Sequence, residues 1–146
     1  MLPDMETSDL RRRLRQALEQ ARKATTERRA SADLAATAYG AFLRDIATPV
    51  FRMFANVARA EGHAFTVFTP ADGIRLVSDG HSEDFVEIWL DTSVEPPDVA
   101  TRVSRVRGRN LTATEGVLRA GAPIGGLTDE DVLAFLLANI GALVER

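Results

Sequence analysis

Residues 84–91 read DFVEIWLD. In an extended chain Val86, Ile88 and Leu90 fall on one face, and Phe85, Glu87, Trp89 and Asp91 on the other. That period of two predicts a strand with one side against an apolar layer. Upstream, HAFTVFT (63–69) and Ile74–Ser78 repeat the alternation. The turn Pro70-Ala71-Asp72-Gly73 joins them, and Asp79-Gly80 closes the second. Downstream, Glu95-Pro96-Pro97-Asp98 reads as a loop, because two prolines cannot sit in a central strand. The alternation resumes over Thr101–Gly108, Arg109 and Asn110 lie near a turn, and a fifth strand falls within Leu111–Arg119. Short turns between successive strands predict an antiparallel meander.

Helical periodicity flanks this sheet on both sides. A helix capped by Thr7 or Ser8 carries Leu10, Leu14, Ala17, Ala21 and Ala24 at alternating steps of four and three, the spacing of a coiled-coil seam. The seam passes Arg28 and Ser31 and resumes at Ala35, Ala38 and Phe42. Thr48-Pro49 reads as a cap and first helical residue, so a new helix is expected there, ending at Gly62. Thr128 with Asp131 three residues later announces the last helix, whose apolar face is Val132, Phe135, Leu136, Ile140, Leu143 and Val144. The expected fold class is therefore α+β. It comprises a long N-terminal helical arm (residues 1–47) and a domain (48–146) of one helix, a five-stranded antiparallel meander and a C-terminal helix. Val86, Ile88 and Leu90 are expected against Val50, Phe54, Val57, Phe135 and Leu136. The element order is similar to that of small acidic secretion chaperones, a likeness that carries no residue across.

Composition removes several classes of function. The 146 residues contain no cysteine, which excludes thiolate catalysis, disulfides and iron–sulfur clusters. No apolar run reaches the ~18 residues that a membrane span requires. The opening MLPDMETSDLRRRL lacks the apolar core of a secretory leader, so a cytoplasmic protein is expected. The net charge of −3 is distributed in blocks: +3 over residues 1–29, −7 over 63–100, +4 over 101–120 and −3 over 121–146. Blocks of opposite sign favour pairing within or between subunits over a field of one sign.

Four stretches invite a chemical reading. Gly121–Thr128 has the spacing of a phosphate-binding loop, but Leu127 replaces its lysine, and Asp129, Glu130 and Asp131 would repel an anion. Asp79, His81 and Glu83 alternate like metal ligands, yet a polar hairpin tip needs the same residues; no metal or cofactor is expected. Ser78 and Ser82 beside His81 lack the orienting acid and oxyanion hole of a nucleophilic site, so no enzyme is expected. Arg102, Arg105, Arg107 and Arg109 form the fourth. They suggest either an anion- or nucleic-acid-binding strand, with Arg105, Arg107 and Arg109 on one face, or cross-strand pairing with Glu87 and Asp91. Trp89 can stack on an arginine in either case. The leading expectation is a non-catalytic protein-binding or adaptor module. It would work as a homodimer through Leu10, Leu14, Ala17 and Ala21, over residues 9–42. The alternative is nucleic-acid or anionic-ligand binding through the arginine strand.

Overall fold

A computed structural model describes residues 6–145. The fold is α+β: a long N-terminal helix, a five-stranded antiparallel sheet and a C-terminal helix. Helix α1 (Thr7–Phe42) runs through a π-helical turn (Leu43–Ala47) directly into α2 (Thr48–Ala60). Strands β1 (Phe65–Phe68), β2 (Ile74–Ser78), β3 (His81–Asp91), β4 (Asp98–Arg107) and β5 (Asn110–Val117) pair in sequence order. Helix α3 (Asp129–Val144) follows a 3-10 turn at Ile124–Gly126. The opening residues Met1–Met5, part of the leader reading above, lie outside the described residues.

The break expected at Thr48-Pro49 is not there. Thr48 has helical angles (φ −62°, ψ −48°) and caps nothing; its N–H reaches back five residues to the Leu43 carbonyl. A proline inside a helix removes one hydrogen bond and crowds the carbonyl four residues earlier. The wide π turn ahead of Pro49 gives the ring room. It also keeps one face on the sheet: Phe42, Ala47, Phe51 and Ala55 are all buried, and the step from Phe42 to Ala47 contains the extra residue. At the N-terminus the expected cap is absent as well, since Glu6 precedes the helix without a side-chain cap.

The core lies between this helical face, α3 and one side of the sheet. Phe65, Ile74, Leu76, Val86, Ile88 and Val99 from the strands meet Phe51, Val132, Leu136 and Leu143. Val50, Phe54, Leu90 and Phe135 pack at its margin as expected, whereas Val57 is 58% exposed and does not join it. Tyr39 ties the helix to the β1–β2 turn by donating its hydroxyl to the Asp72 carbonyl. Burial, with the Asp72 carboxylate nearby, pushes that hydroxyl well above its ordinary pKa. Gly73 in the same turn is tightly packed: a Cβ there would lie 2.8 Å from the Ile88 carbonyl oxygen, so a side chain would force the backbone to shift.

Candidate partner-binding surface

Every residue from Leu10 to Lys23 is exposed. Leu10, Leu14 and Leu18 are 55%, 55% and 46% exposed, on a helix that meets its own domain only from about Ser31 onward. Ala17 and Ala21 lie on the same uncovered stretch. Local support for it is thin: Asp9 pairs with Arg12 and Arg13, and Glu19 with Arg22. Each such exposed pair stabilises a helix by about 0.2–0.5 kcal/mol. Further along, the seam turns inward. Ala35 and Ala38 pack against the core, and Tyr39 and Phe42 are buried in it. That part of the 9–42 seam is thus covered by the chain itself.

Where the helix leaves the body it forms one wall of a largely apolar cleft of roughly 740 Å³. Ser31, Leu34, Ala35 and Ala38 line that wall; the Val94–Asp98 loop, Val117 and Gly121–Gly125 line the others. Leu34 is 74% exposed, Val94 44% and Val117 47%. Sequence reasoning missed this cleft because three distant segments build it. Of the 121–128 stretch, read above as turn and cap, Gly121–Gly125 lines the cleft; Ile124–Gly126 is a 3-10 turn, and Thr128 and Asp131 make a reciprocal capping box. The Thr128 N–H donated to Asp131 holds that carboxyl below the usual carboxylate range.

The arginine row is divided among three places. Arg102 lies on the open sheet face, opposite Glu87 on β3 and Glu115 on β5. It bonds Glu115 at 2.6 Å, approaches Glu87 at 3.9 Å and stacks over Trp89 at 5.1 Å. Glu87 is paired more closely with Arg75, whose guanidinium sits 4.0 Å over the Phe85 ring. Asp91, the other acid expected to pair with the row, instead accepts from the Ser93 hydroxyl and N–H. Arg105 and Arg107 alternate with Arg102 and so belong to the opposite, helix-covered side of the sheet. Arg107 donates to Asp84 at 3.2 Å and to the Ala142 carbonyl in the last turn of α3. Arg109 leaves the strand in the Gly108-Arg109 turn, where Gly108 has φ +63°. The expectation of Arg105, Arg107 and Arg109 together on one strand face is therefore corrected.

Asp79 accepts the Thr66 hydroxyl at 2.6 Å at the β2–β3 turn. Together with His81 it borders a shallow depression of roughly 570 Å³ that Glu83 does not line. Among the described residues no three His, Asp or Glu side chains are grouped to hold a metal ion. No helix of the described residues is long and apolar enough to cross a membrane. No protein-family profile, curated protein or solved structure matches the chain significantly.

Proposed function

We propose that this chain is a non-catalytic protein-binding or adaptor module, cytoplasmic, that acts as a homodimer through the uncovered part of α1. One observation carries the reading: Leu10, Leu14 and Leu18 stand half-exposed along a helix without cover from its own domain. Isolated helices are marginal in water, so an apolar stripe of this length calls for a partner. What favours this over anion binding is the engagement of Arg102 and Arg107 with carboxylates.

Sedimentation at micromolar concentration tests the proposal. The native chain should run as a dimer, and the double variant Leu14→Asp/Ala21→Asp as a monomer with the near-ultraviolet signal of Trp89 intact. A native monomer at high micromolar concentration would overturn the reading. Nucleic-acid binding with a steep salt slope, abolished by Arg105→Ala/Arg109→Ala, would replace it with the alternative.

A further inference from the structure

Resting on the dimer reading, we propose that two copies pair antiparallel, with the two-fold axis between Arg22 and Lys23. The leucine end of each α1 then seats in the other copy's cleft beside Leu34, Val94 and Val117. The 4–3 spacing continues from Ala24 through Arg28 and Ser31 to Ala35, where the seam enters the cleft wall. A parallel pair would stack Arg28 on its own copy in the seam. It would also bring both bodies side by side at one end of the helix pair, where α1 enters each body from about Ser31 onward. The antiparallel register removes both conflicts. In it Leu10 lies over the second copy's Ala35, Leu14 over its Ser31 and Arg28 over its Ala17. Large side chains meet small ones in every outer layer.

Charge and area agree with this occupant. Arg11 and Arg13 flank the leucines, and Glu95 and Asp98 stand on the rim of the cleft they would reach. Of the acidic 63–100 block, Glu95 and Asp98 are the two carboxylates that line this cleft. The chain exposes 9796 Å². A compact monomer of 15.9 kDa exposes about 7,400 Å² by the usual size scaling. The excess is several times the ~800 Å² that each partner gives to a standard interface.

The absence of cysteine makes a cross-linking test clean. In the antiparallel register, residue 14 lies ~25 Å from its own copy but beside residue 31 of the other, at 1.5 Å of rise per residue. Mixed Leu14→Cys and Ser31→Cys chains should therefore oxidise to a covalent heterodimer, while neither variant cross-links alone. Glu95→Arg should weaken association about tenfold, and adding Arg13→Glu should restore it. Self-cross-linking of Leu14→Cys, no heterodimer from the mixture, or an unchanged dissociation constant for Glu95→Arg would each overturn the arrangement while leaving a sedimenting dimer standing. A native monomer would remove the dimer itself.

Discussion

Asp84 is 1% exposed, and its surroundings explain why a carboxylate is kept there. A bulge between β2 and β3 shifts the register from Val77↔Phe85 to Ser78↔His81, so residues 82–84 are left over on β3. Asp84 turns inward at that point and takes the Val106 N–H at 2.8 Å as well as the Arg107 guanidinium. Arg107 in turn supplies the last turn of α3 with the cation that this helix lacks in its own sequence. Asp84→Ala should cost roughly 3 kcal/mol in chemical denaturation, the low end for a broken buried pair, because Arg107 retains some solvent. A loss below ~1 kcal/mol would mean that water replaces the carboxylate fully. Gly73→Ala is a steric counterpart. Its methyl meets a backbone oxygen that cannot swing away, and about 1–3 kcal/mol should be lost.

At the scale of elements, α3 has a cap whose strength depends on charge. Thr128→Ala should reduce unfolding free energy by about 1 kcal/mol, the usual cost of losing a hydroxyl cap. Asp131 sharpens this with a pH dependence. Its carboxyl is held below the ordinary value by the Thr128 N–H. Its contribution is therefore complete above the ordinary carboxylate range and is lost as pH falls through the lowered folded value. Asp131→Asn should remove that part of the acid-side slope in a pH series of thermal melts; an unaltered slope would count against it. This capping box was legible in the sequence because it is local, as were the strands with their period of two. The continuity of α1 into α2 was not legible. Pro49 carries the same signal whether it starts a helix or follows a π turn, and only the buried spacing Phe42–Ala47 distinguishes them. The arginine row was misread for a related reason. The turn at Gly108-Arg109 takes Arg109 off the strand, and the strand's inner face continues to Arg107 beneath α3. The leucine stripe was visible from the start, but the cleft that could receive it needed tertiary structure.

For the whole molecule, a packed body and a protruding helix stand in different stability regimes. The body encloses a core drawn from all three helices and four strands. The stretch from Thr7 to Ala30 has a few exposed ion pairs and two threonines, Thr25 and Thr26, whose hydroxyls bond carbonyls four residues back. Such back-bonding slightly destabilises a helix, and the ion pairs together contribute only about 1 kcal/mol. If the proposed dimer forms, this stretch draws its order from association, by the mass-action linkage that couples any folded element to its ligand. Dilution through the dimer's dissociation constant should lower the helical ellipticity at 222 nm by up to roughly a third, the share of helical residues in this stretch. The environment of Trp89, on the sheet, should stay constant over the same range. Amide exchange should show the same division, with residues 10–23 losing protection in Leu14→Asp/Ala21→Asp and the core strands keeping theirs. If ellipticity holds steady while sedimentation records dissociation, the helix is self-supporting and its leucines are not what orders it.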